Sequence, residues 1–427
     1  MKDPISQRLA ARHPQRIDLS LDRIRRLLAV VGDPQDRLPP VVHVAGTNGK
    51  GSTVAFLRAM AEASGRSTHV YTSPHLVRFN ERIRLNGRLI EDAVLERILD
   101  RLEAVDGDIE ATIFEMTTAA GLLAMAEAPA DLAIVEVGLG GLLDATNVIT
   151  TPRLAVIAPI DFDHAEFLGA DLAGIAREKA GILKPGCRAV VARQQDVALD
   201  VIESEAKRIG ASLSVMGRDF DAWAERGGLT FQGEDRLLDL PAPALAGPHQ
   251  IANAGLAVAA ALELGLSDEA IAEGLRTARW PARMQALTAG PYAEQARRVG
   301  AELWLDGGHN PHAARAVADA VLQMDMRSPR PLAMIVGLMA NKDADGFFQA
   351  LTLTGAPVFT VAFDGACHPP ADLARAAQKA GLRAQPAPSV AVALKAALEE
   401  GAGRVLICGS LYLAGEVLAA SPETWPT

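Results

Sequence analysis

Residues 43–53, His-Val-Ala-Gly-Thr-Asn-Gly-Lys-Gly-Ser-Thr, constrain this chain more than any other stretch. The apolar residues Val41, Val42 and Val44 read as the close of a buried strand. Beyond it, Val54, Leu57, Met60 and Ala61 recur at helical spacing. Gly46, Gly49 and Gly51 permit a tight turn that gathers backbone N–H groups. Lys50 then stands at a helix start, where partial positive charge already favours an anion. A strand, glycine loop and helix in this order cradle phosphates, which predicts a chain that handles ATP or GTP. The general phosphate-loop spacing is only partly met. Val44 takes the place of its first glycine, Gly51 follows the lysine, and Ser52 and Thr53 come late. The displaced hydroxyl leaves open which group holds the metal.

At 427 residues the chain exceeds one ordinary core, so two domains are expected. A net charge of −10 argues against nucleic acid or an anionic membrane as a general partner. An anionic substrate therefore needs a local basic cluster. Cys187, Cys367 and Cys408 are sparse, odd in number and far apart, which fits a reducing compartment and no metal-ligand spacing. The N-terminus, with Asp3, Arg8, Arg12 and Arg16, does not read as a secretory signal. No span of about 18 residues is apolar and free of charge, so the expectation is a cytoplasmic enzyme.

Short β-rich runs alternate with helical stretches. Strands are predicted at 41–45, 68–71, 132–137, 154–158, 188–192, 303–305, 332–336, 357–362 and 404–408. Helices are predicted at 53–64, 91–103, 115–127, 251–263, 312–323 and 390–400. This rhythm belongs to βαβ units on parallel sheets, where ligands bind beyond the carboxyl ends of the strands. A domain boundary is expected near Trp280-Pro281-Ala282-Arg283, giving domains 1–281 and 282–427. Residues 217–247 read as an irregular β excursion within the first.

A triphosphate site needs magnesium, which wants oxygen ligands, sometimes with one imidazole. Glu136 ends an apolar strand just before Gly138-Leu139-Gly140-Gly141, a good place for a metal carboxylate or for a turn cap. His164 follows Asp163 just past strand 154–158, and its residues alone do not separate a ligand from a packed side chain. Lys179 carries no local mark of catalysis. Asp306-Gly307-Gly308-His309-Asn310-Pro311 sets a carboxylate, an imidazole and an amide on one turn, with Pro311 suited to start a helix.

Together these segments resemble the folylpolyglutamate synthase/dihydrofolate synthase family, within the Mur-type ATP-dependent amide ligases. The motifs that carry the resemblance are GTNGKGS (46–52), TSPHL (72–76), FNERI (79–83), FEMTTAA (114–120), EVGLGGLLDATN (136–147) and DH (163–164). EKAGILKPG (178–186), HQIANA (249–254), WPAR (280–283), DGGHNP (306–311) and GSLYLAGEV (409–417) continue it in family order. GTNGKGS is shared with Mur ligases at large, whereas TSPHL with FNERI and the last motif point to the folate branch.

The resemblance implies an α/β fold: an N-terminal P-loop ATP-binding domain of Mur-ligase type and a smaller, Rossmann-like C-terminal α/β domain. It implies that a substrate carboxyl takes the γ-phosphate of ATP, and that the L-glutamate amine attacks the resulting acyl phosphate to give an amide. Carried onto this chain, Thr47, Asn48, Gly49, Lys50, Gly51 and Ser52 would hold the triphosphate, and Asn253, Arg283 and Asp306 would contact nucleotide. Ser73, Glu136 and His164 would bind one Mg²⁺, which answers the displaced hydroxyl. Lys179 matches a lysine carbamylated in relatives, where it supports a second Mg²⁺. His309 and Ser410 would place the glutamate, and Ser73, Pro74, His75, Phe79 and Arg82 would shape the pterin pocket. Lys50, Lys179, Asp306 and His309 are thus the expected catalytic group. The family's usual Gly before Arg283 is Ala282 here, and an Ala often seen between Asp306 and His309 is Gly308.

The expected enzyme adds glutamate to dihydropteroate and to tetrahydrofolate-type folates, as a monomer and without nucleic-acid or membrane partners. Single-function versions remain alternatives. A UDP-precursor Mur ligase is disfavoured because only about 40 residues precede the phosphate loop, and a nucleotide switch because a second polar turn motif lies at 306–311.

Overall fold

The computed structural model describes residues 3–14, 19–169 and 171–427. Its strands are β1 (Val41–Ala45), β2 (Thr68–Tyr71), β3 (Ile83–Leu85), β4 (Arg88–Leu89), β5 (Leu132–Glu136), β6 (Leu154–Ile157), β7 (Arg188–Val191) and β8 (Ser212–Val215) in one sheet. Strands β9 (Asp221–Glu225), β10 (Gly228–Gln232) and β11 (Leu237–Leu240) form a second, and β12 (Gln285–Ala286), β13 (Glu302–Leu305), β14 (Leu332–Val336), β15 (Val358–Thr360), β16 (Ala384–Pro386) and β17 (Arg404–Cys408) a third. All nine predicted strands are present: 132–137, 154–158 and 188–192 each end one residue early, 357–362 is cut to Val358–Thr360, and 303–305 starts one residue sooner.

Chain contacts divide the molecule into two compact units. The first holds the residues up to Ala244 together with Ile251–Arg279. Its eight-stranded sheet runs in the order β4-β3-β2-β5-β1-β6-β7-β8. Only β3 and β4 run antiparallel to their neighbours. β1 is buried at all five positions, as its unbroken apolar reading requires of a parallel strand covered on both faces. One core packs Tyr71, Ala133 and Val135 against Leu95, Leu99, Leu122 and Leu123 of helices Asp92–Asp106 and Ile113–Ala126. Another packs Ala45, Ile157 and Val191 against Ile175, Ala176 and Ile202 of helices Leu172–Ala180 and Asp196–Ile209.

Residues 217–247 correct the expectation of an irregular excursion: β9, β10 and β11 form a regular antiparallel meander. Glu225 pairs with Gly228, and the two residues between them, Arg226 and Gly227, both have positive φ, 50° and 80°. Such a turn matches the strand twist, but Arg226 in place of the usual Asn or Asp hid it.

The second unit comprises Leu245–Gln250 and Trp280–Pro426. Its sheet runs β12-β13-β17-β14-β15-β16, parallel except for β12. Its core joins Met334, Val336 and Leu406 to Ala314, Val317, Phe347 and Phe348. Among the described residues no helix is long and apolar enough to cross a membrane.

Candidate active site

Four adjacent parallel strands, β2, β5, β1 and β6, bring the segments after their carboxyl ends to one edge of the sheet. Ser73 follows β2, Glu136 ends β5 in register with Val44, the loop 46–52 follows β1, and Asp163-His164 lies beyond β6. The three residues expected to bind one Mg²⁺ therefore emerge from three neighbouring strands around the phosphate loop. Glu136 is buried. His164 has a φ of 52°, and its backbone N–H donates to Asp163 Oδ1 at 2.9 Å. Among the described residues, no cluster of three or more His, Cys, Asp or Glu side chains has metal-binding geometry; a site here would draw on a serine hydroxyl as well.

The loop turns as its glycines predict, with Gly46 at φ 148° and Gly49 at φ 83°. Gly49 is the N-cap of helix Lys50–Ala63, and no side chain caps that end. The first-turn amides thus lack intrahelical acceptors and carry the positive end of the helix. A Cβ on Gly49 would lie 2.4 Å from Asn253 Oδ1, so this approach is open to glycine alone. Thr47 and Asn48 are held by the segment that follows β6. Their amides donate to Pro159 O at 2.9 and 3.3 Å, and Thr47 Oγ1 donates to Asp161 O at 2.9 Å.

Lys50 Nζ donates to Gly46 O and Thr47 O at 3.1 and 3.2 Å. Lys179, at the end of helix Leu172–Ala180, donates to the same Gly46 O at 3.1 Å. Its amine is pulled down to about 7, first by burial and then by the Lys50 ammonium. Nothing local to Lys179 marks this, because the long-range approach of a second lysine is invisible in the sequence around it.

Asp144 organises the glycine turn after Glu136. Its buried carboxylate accepts hydrogen bonds from Gly138 N, Leu139 N, Thr146 N and Thr146 Oγ1, at 3.1, 2.8, 3.0 and 2.5 Å. Leu142 N then donates to Glu178 O at 2.7 Å, fastening that turn to the helix bearing Lys179.

The 72–83 segment is fastened by Glu81, whose carboxylate accepts from the amides of Leu76, Val77 and Arg78 at 2.8, 2.8 and 2.6 Å. The Ser73–Pro74 peptide is cis. Arg82 Nε donates to His75 Nδ1 at 2.8 Å and its guanidinium lies 5.5 Å from the Phe79 ring centre. Burial and the Arg82 charge bring His75 down to about 3, so its ring stays neutral and its Nδ1 stays an acceptor.

In the second unit, Asp306 ends its strand buried, with Oδ2 accepting Met284 N at 2.8 Å and Oδ1 accepting Gly308 N at 2.7 Å. His309 Nδ1 lies 3.0 Å from Gly307 O. Asn310 caps helix Pro311–Arg327 through Ala313 N, and Ser410 caps helix Leu411–Ala419 through Tyr412 N at 3.1 Å. Arg283 sits between Ala282 and Met284, both with positive φ, 54° and 38°. Each costs on the order of 1 kcal/mol in an L-residue.

Two family models match this chain: the Mur ligase middle domain over residues 44–261, and the Mur ligase glutamate ligase domain over residues 293–411. A folylpolyglutamate synthase of Lacticaseibacillus casei is 33% identical over 417 residues, covering 92% of each chain. A dihydrofolate synthase/folylpolyglutamate synthase of Bacillus subtilis is 35% identical over 373 residues, covering 83% of each. The crystal structure of the bifunctional folylpolyglutamate synthase/dihydrofolate synthase of Yersinia pestis, complexed with AMPPNP and Mn ion, superposes with a TM-score of 0.85 at 32% identity over 97% of each chain. With its phosphate loop, its carboxyl-edge acids and both matching domains, the chain belongs to the Mur ligase family, as an ATP-dependent ligase of the folylpolyglutamate synthase/dihydrofolate synthase kind.

Proposed function

We propose that this enzyme joins L-glutamate to dihydropteroate, forming dihydrofolate, and adds further γ-linked glutamates to reduced folates such as tetrahydrofolate. The observation that carries the reading is the carboxyl edge itself, where a phosphate loop lies between the segments bearing Ser73, Glu136 and His164. Similarity to the bifunctional Bacillus subtilis enzyme supports the substrate pair.

The residues present fit ATP. An N-terminal helix end without a side-chain cap offers amides to phosphate oxygens, and the bare Gly49 lets them approach. Gly49, Lys50, Gly51 and Ser52 would hold the triphosphate, with Asn253, Arg283 and Asp306 contacting the nucleotide. Ser73, Glu136 and His164 would hold one Mg²⁺, which when bound offsets phosphate charge as it moves in the transition state. Lys179, held near neutrality in this buried setting, offers the free amine that carbamylation requires, and the carbamate would serve a second Mg²⁺. The substrate carboxyl must be phosphorylated because a carboxylate is a poor electrophile; the acyl phosphate no longer carries the carboxylate charge, and attack by the amine breaks its C–O bond and releases phosphate with the former carboxyl oxygen. His309 and Ser410 would place the incoming amine, and the 72–83 segment, tied together by Glu81, the pterin. Most of this is positioning rather than covalent catalysis. We read the enzyme as a cytoplasmic monomer, in keeping with its acidic charge and its three free cysteines.

The test supplies ATP, Mg²⁺ and labelled L-glutamate with either dihydropteroate or tetrahydrofolate and follows label into product by mass. Label in both products is expected. Label in one alone makes the enzyme single-function, and label in neither from folded, nucleotide-binding protein overturns the folate reading.

A further inference from the structure

We propose that Gln285 is a positioning residue that, together with the buried Asp306 carboxylate, holds Ala282 and Met284 left-handed on either side of Arg283 and thereby fixes where the Arg283 guanidinium stands. The proposal rests on the reading of Arg283 as a nucleotide contact.

Two L-residues with positive φ on either side of one arginine persist only where the surroundings over-determine them. Here they do. Ala282 N donates to the Gln285 side-chain oxygen at 2.9 Å. Ala282 O accepts from Gly307 N at 2.9 Å and from Arg283 NH1 at 2.9 Å. Met284 N donates to Asp306 Oδ2 at 2.8 Å, a buried bond. Both clamps come from one strand pairing, since Gln285 stands opposite Leu305 and Asp306 is the next residue.

Burial shows what the turn achieves. Ala282 and Met284 are 0% and 2% exposed, while Arg283 between them is only half-buried. Sinking both flanks turns the middle side chain outward. A Cβ on Gly307 would lie 2.8 Å from Arg283 NH1 and 2.3 Å from Leu411 Cδ2, so a side chain there would displace the guanidinium from this position.

The clamp predicts a specific rescue. Glycine accepts a positive φ without strain, so at position 282 it removes the need for the Gln285 bond. ADP affinity by calorimetry is the readout for the full chain. Gln285→Ala is expected to weaken ADP about tenfold, which is the effect of roughly one lost hydrogen bond. Adding Ala282→Gly should restore affinity to within about twofold. An unchanged affinity in Gln285→Ala, or no restoration, overturns the clamp. Should Gln285→Ala not fold, the double variant is compared with Ala282→Gly alone: equal affinity supports the clamp, and a gap of about tenfold overturns it. Arg283→Ala separates the two readings. If it leaves ADP affinity unchanged, Arg283 is no nucleotide contact, and the clamp is judged by hydrogen exchange of the Met284 amide without nucleotide. That exchange should quicken about tenfold in Gln285→Ala; unaltered protection overturns the clamp.

Discussion

The phosphate loop and the Arg283 turn both present a cation beside a strand end, yet they meet left-handed backbone in opposite ways. In the first, positive φ falls on Gly46 and Gly49. In the second it falls on Ala282 and Met284. The difference is one of room. A Cβ on Gly49 would strike Asn253 at 2.4 Å, and one on Gly46 would lie 2.7 Å from Ala158 Cβ. Around Ala282 the methyl is accommodated, so only the backbone strain remains, and hydrogen bonds from Gln285 and Gly307 offset it. Crowding demands glycine, whereas strain alone can be met by added contacts.

The comparison breaks most easily at the phosphate loop. Lys50→Ala should cost roughly 10³-fold in amide formation, because the phosphates lose their main charge partner; a near-normal kcat would remove the loop from the nucleotide site. Gly49→Ala should lower kcat/KM for ATP about 10²-fold, since the collision with Asn253 shifts the loop. If steady-state rates survive that change, room is not what selects glycine there. Glu136→Gln is expected to raise the Mg²⁺ concentration for half-maximal rate by about tenfold, measured by titration at saturating ATP.

Lys179 gives a pH test. Its amine titrates at about 7, so it is protonated and unable to take up CO₂ below that value and free above it. Activity in bicarbonate-equilibrated buffer should therefore rise as pH passes about 7. Lys179→Ala should lose that step and recover in part with short carboxylic acids; recovery in neither rate nor metal binding would sink the carbamate. The smallest effect belongs to the second turn. Ala282→Gly should change stability by no more than ~1 kcal/mol, because the strain it relieves is offset by the buried methyl it removes and the chain entropy it adds, and a loss of several kcal/mol in urea unfolding would show that Ala282 is not strained.

Much of this was legible beforehand where local periodicity carries the signal. β1, its loop and its helix follow from alternation, glycine placement and helical spacing within about two dozen residues. Strand order could not be read that way, and it is strand order that brings the segments bearing Glu136 and His164 to the same sheet edge as the loop of Lys50. Gln285 was missed for a related reason: a glutamine starting a short strand looks like any other, and only the folded turn shows it accepting Ala282 N–H. Ala282 departs from family usage in the sequence, but its positive φ shows only in the fold. Thr47 sits in the expected motif, yet its hydroxyl serves Asp161 rather than facing outward.

The carbonyl of Gly46, which accepts from both Lys50 and Lys179, has a built-in understudy. Were Lys50 to swing toward a phosphate oxygen, Gly46 O would keep its bond from Lys179, and of the two acceptors Lys50 now serves only Thr47 O would have to find another donor. A lysine carbamate keeps one N–H, so the same arrangement survives that modification. A ligand that recruited Lys50 would therefore cost the turn one bond to Thr47 O and leave the bond at Gly46 O in place, a redundancy of one backbone oxygen that makes the change a cheap one.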